Sequence, residues 1–378
     1  MMISVARCFA VVLWLFAASA HADQILPGVD LQRGSASRHF EIWQSSEVRW
    51  QPSEQSLFLR QLEDAYTKAT AIFSDPRSNS ERLSRLIQVG ILSGRELVSS
   101  GKTAKIERTG YFSPEVFDRK NRDMIFLTVD QGLNAELIHR AVHEIQHLFL
   151  YTTHRDEDVW VNEGLSELLA WRVTRLVPSV ATEAFLDVPT APPLQGRAAV
   201  DFDYADYGQS YLLMRFIWEH GAGDAIFQAI AAQPGRGISA VVSALSQIGH
   251  TFSRGFPEIY EDFLISLLFP AGSSQSEYAW RTQKFIKIPR GDNQGLLPPG
   301  FSFTLLDRTS LDCVPQIQVQ SAAQSYFVQL GGGMLRISET QKASIQESDP
   351  IDPSKRSYLL IINESASSAE YDAGTGCR

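Results

Sequence analysis

Cysteine is scarce in this chain, with 3 in 378 residues, and Cys8 falls among the first 22. Only Cys313 and Cys377 follow, so no zinc-ribbon spacing exists. Long apolar runs are missing as well. The run from Phe9 to Ala18 is too short for a comfortable transmembrane helix, and no later stretch qualifies. A basic stripe is absent: 34 Lys and Arg face 43 Asp and Glu, for a formal net charge of −9. That balance argues against nucleic acid or an anionic membrane surface as the partner. No P-loop, nucleotide-binding glycine box or internal repeat is visible. What remains is ordinary for a soluble globular protein, 44% hydrophobic and 20% charged, with room for a sizeable core and two domains.

Residues 1–22 read as a secretory leader. Arg7 supplies the positive region, Phe9 to Ala18 the apolar one, and Ala20-His21-Ala22 an A-x-A site before Asp23. Cys8 precedes the apolar run, which argues against a lipoprotein anchor. The expectation is an exported protein, periplasmic or secreted, without a membrane anchor in its mature form. Two cysteines in an exported chain favour a disulfide. A Cys313–Cys377 bridge would close a 65-residue loop. On the chain-entropy model it would stabilise that region by roughly 4 kcal/mol.

The stretch with chemistry in it is His143-Glu144-Ile145-Gln146-His147. Histidines at i and i+4 sit one above the other on a helix, close enough for both imidazoles to reach one metal ion. The intervening Glu144 then projects beside that ion, where it can act as general base toward water. A chain with 8 histidines would show such a pentapeptide by chance on the order of once in a hundred, so context matters. The context is helical: Leu133, Leu137, Ile138, Ala141, Val142, Ile145, Leu148 and Phe149 recur at the right spacing. Asn134, with Glu136 behind it, supplies a start. His139 shares the stripe, but it lies eight residues from His147, about 12 Å along the axis. Arg140 stands where a second motif would need its Glu. His139 reads as a bystander.

A second helix is expected from Asn162 to Arg175, with Leu165, Leu168, Leu169 and Val173 apolar. A catalytic zinc wants three protein ligands and one open position. Glu163 can be the third ligand, from a helix antiparallel to the first. Glu167, four residues further on the same face, can hold the free ring nitrogen of a ligand histidine.

H-E-I-Q-H followed by W-V-N-E-G-L-S-E resembles the gluzincin metallopeptidases, whose pattern is H-E-x-x-H, a loop, then W-x-N-E-G with a trailing acid. Within that clan the chain is most similar to the hyicolysin-like bacterial metallopeptidases. The resemblance covers roughly residues 100–270. It implies Zn2+ on His143, His147 and Glu163, Glu144 as base, and Glu167 orienting His143. The G-x-M-E-N box with which many gluzincin aminopeptidases grip a free amino terminus is missing, which counts against an exopeptidase.

The rest of the chain is expected to frame this site. Arg38–Trp43, Arg85–Leu92, Tyr111–Ser113 and Met124–Val129 read as strands, and Gln55–Phe73 as a helix. In peptidases of that clan a sheet edge near the zinc pairs with extended substrate; Tyr111–Ser113 could serve, or could be a buried hairpin. Residues 189–196 read as an irregular proline-rich connection. Where gluzincin aminopeptidases carry an oxyanion-stabilising tyrosine opening a helix, this chain offers Tyr207, with Tyr204 and Tyr211 as rivals. His154, in a loop, and His220, at a helix end, rank behind them. Pro270 to Ser276 is the best linker signal, and beyond Pro299 the periodicity changes to two.

The expected fold is α+β. A signal peptide over 1–22 precedes a gluzincin-like catalytic domain over 23–270, with a small N-terminal sheet, active-site helices and a helical part behind them. A linker over 271–298 leads to a small β-sandwich-like domain over 299–378. The expected function is zinc-dependent hydrolysis of peptide bonds in a peptide or protein substrate, with the bias toward an endopeptidase. The alternatives are an aminopeptidase or other zinc hydrolase on the same core, and a non-catalytic exported binding protein.

Overall fold

The strand buried most completely is Met124–Thr128, in which every residue lies below the surface. It is β5 of a five-stranded sheet in the order β1-β2-β3-β5-β4. The other members are β1 (Leu31–Ala36), β2 (Phe40–Ser45), β3 (Ile87–Leu92) and β4 (Gly110–Phe112). β2, β3 and β5 run parallel, whereas β1 and β4 close the two edges antiparallel. The computed structural model describes residues 25–26, 28–79, 85–99, 109–129, 132–187, 190–191, 194, 198, 201–250 and 255–267, and strand segments between 294 and 377. The leader read over 1–22 lies outside the described residues. The chain packs as two compact units, residues 1–71 with 75–152, and residues 72–74 with 153–378.

In the first unit, parallel strands need a crossover, and α1 (Pro52–Ile72) supplies it between β2 and β3. Phe58, Leu59, Leu62, Ala65, Tyr66 and Ala69 form its buried stripe at helical spacing. Tyr66 meets Phe40 of β2 edge-on at 5.4 Å and Phe149 of α4 (Ala135–Thr153) at 6.2 Å. A further cluster joins Ile25, Leu26 and Val29 to Tyr111, Val116, Met124 and Phe126. Two short helices, α2 (Gly94–Ser99) and α3 (Pro114–Arg119), flank β4 in the chain. Ser113 caps α3 by accepting the Val116 amide at 3.3 Å.

The second unit begins its helices with α5 (Val159–Thr174) and α6 (Ser179–Asp187). They are followed by α7 (Tyr204–Ile217), a π-helical turn over Trp218–Ala222, α8 (Ala225–Ala231), α9 (Gly237–Gln247) and α10 (Phe256–Ser266). Its strands form two sheets, in the orders β11-β10-β12-β8-β6 and β7-β13-β9. Five of them, β8 (Ser302–Asp307), β9 (Pro315–Val319), β10 (Gln324–Gln329), β11 (Gly333–Ile337) and β12 (Ser357–Asn363), match segments of period two. Three others do not. β6 (Thr190–Ala191) lies in the connection read as irregular and pairs antiparallel with β8. β7 (Gln294–Leu297) falls in the stretch read as linker, and β13 (Ala369–Cys377) has the strand-poor sequence AEYDAGTGC. Cys377 registers opposite Pro315; Cys313 lies outside the described residues.

The least expected feature of the first unit is a buried ion cluster. Arg77, 1% exposed, donates to Asp75 at 2.7 Å, to Asp123 at 3.4 Å and to the Tyr66 hydroxyl at 3.2 Å. Tyr66 in turn donates to Asp75 at 2.6 Å. Burial alone would raise the Asp75 carboxyl, but its hydrogen bonds and charge pairing with Arg77 outweigh burial and hold it below its ordinary value. Burial, with Asp75 alongside, pushes Tyr66 up to about 12. Arg77→Ala leaves two carboxylates buried without their cation and should cost roughly 3–5 kcal/mol in urea denaturation; a loss below about 1 kcal/mol would contradict this account. The pH signature has a definite sign. A carboxyl lowered on folding contributes stability above its unfolded pKa, near 4, and loses it as pH falls through the folded value. Wild type should show that acid decline, and Arg77→Ala should show a smaller one.

Candidate metal centre

Helix α4 begins where the sequence indicates. The Asn134 side chain accepts the Leu137 amide at 2.9 Å, capping the first turn. Leu137, Ala141, Val142, Ile145, Leu148 and Phe149 are all buried, which fixes the rotation of the helix about its axis. The two motif histidines then stand on one face, with ring centroids 4.7 Å apart and planes at 80°. Their Nε2 atoms approach to 3.0 Å. Two zinc–nitrogen bonds of about 2.0–2.1 Å at a tetrahedral angle would hold such nitrogens about 3.3 Å apart. The pair is therefore close to the spacing a shared ion needs, with each Nδ1 as the protonated nitrogen when both Nε2 atoms are ligands.

Glu163, in the first turn of α5, completes a donor group. One ligand atom each from His143, His147 and Glu163 lies within 4.8 Å of the others. Two imidazoles and a carboxylate match a three-ligand set that leaves one position open, so the residues present fit a bound metal ion. It is the one such group of histidine, cysteine and acidic side chains among the described residues, and His139 is not part of it. Scanned against models of protein families, the chain matches none, and no curated protein matches it significantly.

Glu144, 6% exposed, lies next to the sheet edge. A Cβ added at Gly110 would sit 3.0 Å from Glu144 Oε1 and 3.1 Å from the Phe126 carbonyl, so β4 passes close to the carboxylate because residue 110 has no side chain. The next residue, Tyr111, is buried and stacks on Phe126 at 4.6 Å. Burial first, and then the nearby charge of Glu144, raises its hydroxyl well above the ordinary tyrosine value.

The tyrosine candidates separate sharply. Helix α7 starts at Tyr204, eight residues before Leu212, where apolar spacing alone would begin it. The reason is a capping box. Asp203 accepts the amides of Ala205 and Asp206 at 2.9 and 3.2 Å, and Asp206 accepts the Asp203 amide at 2.7 Å. All three tyrosines are therefore helical. Tyr204 is 41% exposed. Tyr207 is half-buried with its ring edge-on to Phe202 at 5.8 Å. Tyr211 is 0% exposed and accepts Arg215 Nη1 at 3.0 Å. His220 lies in the π-helical turn against Phe216, and the His154 ring points its Nε2 at Glu157, 3.5 Å away.

Sequence reading missed what aligns α5. Gly164 follows the ligand Glu163, and a Cβ there would come within 2.6 Å of the Ser210 carbonyl and 2.8 Å of Met214 Cγ. Helices α5 and α7 touch backbone to side chain at that point. Farther along, Arg172 forks onto Asp224 at 2.9 and 2.7 Å, and Asp224 accepts Trp218 Nε1 at 2.7 Å. The glycine was visible as part of N-E-G, but its partner Ser210 lies 46 positions away and carries no motif.

Two measurements follow. Gly164→Ala should push α5 from α7 at a cost of roughly 1–3 kcal/mol, as overpacking does; an unchanged melting curve would mean that the helices are not in close contact there. His147→Ala should lower metal content sharply from one ion per folded chain. Stoichiometric metal in that variant, measured on folded protein, would rule out the donor group.

Proposed function

We propose that the protein is an exported zinc-dependent peptidase of the gluzincin type that cleaves internal peptide bonds. The observation that carries this reading is the donor group of His143, His147 and Glu163 with the buried Glu144 carboxylate one residue after the first ligand and next to an antiparallel edge strand. The fold that goes with it is a gluzincin-like core followed by an appended all-β domain. The leader-like residues 1–22 support export, and no helix among the described residues is long and apolar enough to cross a membrane. The missing G-x-M-E-N box supports an endopeptidase over an aminopeptidase.

Bound zinc supplies Lewis acidity toward water and the scissile carbonyl. The protein does the rest. Substrate backbone adds to the free edge of β4 as a further antiparallel strand, which presents its carbonyl near Glu144. The Glu144 carboxylate takes a proton from the attacking water and passes it to the leaving amine. Tyr207 donates a hydrogen bond from its hydroxyl to the oxygen that gains charge and keeps its proton. Glu167 orients a ligand histidine through its other ring nitrogen.

The decisive experiment separates two carboxylates with different tasks. Glu144→Gln should keep its zinc and lose hydrolysis of an amino-blocked peptide by about 10²–10⁴-fold, the usual scale for general acid–base catalysis. Glu163→Gln should instead weaken zinc binding. Near-normal cleavage by Glu144→Gln would sink the mechanism. A wild type that cleaves only substrates with free amino termini would move the protein to the aminopeptidases.

A further inference from the structure

Helices α5 and α7 face one another with two stripes at four-residue spacing. On α5 the stripe is Glu163, Glu167, Trp171; opposite it stand Tyr211 and Arg215 of α7 and Glu219 of the π-helical turn that follows. Their meeting is fixed at both ends by contacts within the same unit. At one end Gly164 admits the Ser210 carbonyl, one residue before Tyr211. At the other the Arg215 guanidinium lies over the Trp171 ring, 4.3 Å from its centroid. Glu167 is one turn before Trp171, and Tyr211 one turn before Arg215, so the acid and the hydroxyl lie between the two fixed points.

Arg215, Glu219 and Tyr211 are almost wholly enclosed, at 1%, 2% and 0% exposure. A buried cation is costly unless its charge and donors are satisfied. Arg215 Nε donates to Glu219 Oε1 at 2.9 Å, and Nη1 donates to the Tyr211 hydroxyl oxygen at 3.0 Å. A hydroxyl that accepts from a guanidinium directs its own proton elsewhere. The electrostatic influences on this hydroxyl support the direction: burial raises its pKa most, Arg215 opposes that, and Glu167 acts as a nearby negative charge, ahead of Glu219. The acid whose charge acts on it most is Glu167, four residues after Glu163.

We propose that Tyr211 and Arg215 are positioning residues of the metal centre, with the Tyr211 hydroxyl, held by the buried Arg215 guanidinium, directed at the Glu167 carboxylate and fixing its orientation. This rests on the reading of Glu167 as the acid behind a ligand histidine. The arrangement is a relay of donors, Arg215 to Tyr211 to Glu167, with Glu219 neutralising the cation at the far end. Among the three tyrosines near the start of α7, it assigns Tyr211 to support and leaves Tyr207 for the substrate.

The test measures zinc affinity by chelator competition and the visible spectrum of the cobalt-substituted protein, with circular dichroism reporting the fold. Tyr211→Phe deletes one oxygen and should weaken zinc affinity by about 10–100-fold, the scale of losing an outer partner of a metal site. Glu167→Gln should do the same. The double variant should be no weaker than the worse single one, because both act through one group. Arg215→Lys keeps the charge for Glu219 but loses the flat fork; its affinity should lie between wild type and Tyr211→Phe. A folded Tyr211→Phe with zinc affinity within twofold of wild type, or a double variant in which the two losses multiply, overturns the relay and leaves the centre standing. A wild type that binds no zinc overturns the centre and the relay with it.

Discussion

An α-helix returns a side chain to nearly the same face every fourth residue, and this chain depends on that repeat three times. His143 and His147 use it on α4, and the helical backbone between them brings their Nε2 atoms to 3.0 Å. Glu163, Glu167 and Trp171 use it on α5, placing two carboxylates and an aromatic ring in a row. Tyr211 and Arg215 use it on α7, and the Arg215 Nε–Glu219 bond carries the step on into the π-helical turn. Each stripe is only as exact as the rotation of its helix. The apolar faces set that rotation, through Leu137, Ala141, Ile145 and Leu148 on α4 and through Gly164 and Trp171 on α5.

Both units hold an arginine where water cannot reach it, and both solve the problem alike. Arg77 has Asp75, Asp123 and a tyrosine hydroxyl; Arg215 has Glu219, a tyrosine hydroxyl and an indole face. Replacing such groups by apolar ones of equal shape is often neutral for stability. Their value therefore lies in direction. A guanidinium fork admits few arrangements of its partners, so it fixes where a hydroxyl and a carboxylate point. In the first unit that fixes a corner of the sheet next to β5. In the second it fixes the Tyr211 hydroxyl, which we propose is directed at Glu167.

The donor group and its helices were legible in the sequence because each rests on local spacing. H-E-x-x-H carries its own period, Asn134 its own cap, and N-E-G-x-x-E its own face. The order of strands in the first sheet was not legible, since β5 inserts between β3 and β4 and nothing local says so. The early start of α7 hid because Asp203 and Asp206 look like loop residues until their reciprocal bonds form. β13 hid because glycines and small residues pair by backbone alone. Partners distant in sequence, such as Gly164 with Ser210 or Gly110 with Glu144, require the fold itself.

Charge balance ties these features together. Glu163 brings a carboxylate to the two imidazoles, Glu144 follows the first of them in the chain, and Glu167 lies one turn after Glu163 on α5. Carboxylates crowded in this way repel and tend to take up protons unless a cation compensates them. Arg215 cannot do so, because Glu219 already neutralises it at 2.9 Å. In the proposed mechanism that compensation comes from a dication at the donor atoms. Two positive charges against three negative ones leave one carboxylate's worth of negative charge, and in the proposed mechanism that is the charge Glu144 uses to accept a proton. The same arithmetic explains why the base is not itself a ligand: a carboxylate spent on the metal is a weaker base. In that mechanism the one-residue offset of Glu144 from His143 would keep it beside the ion and off it.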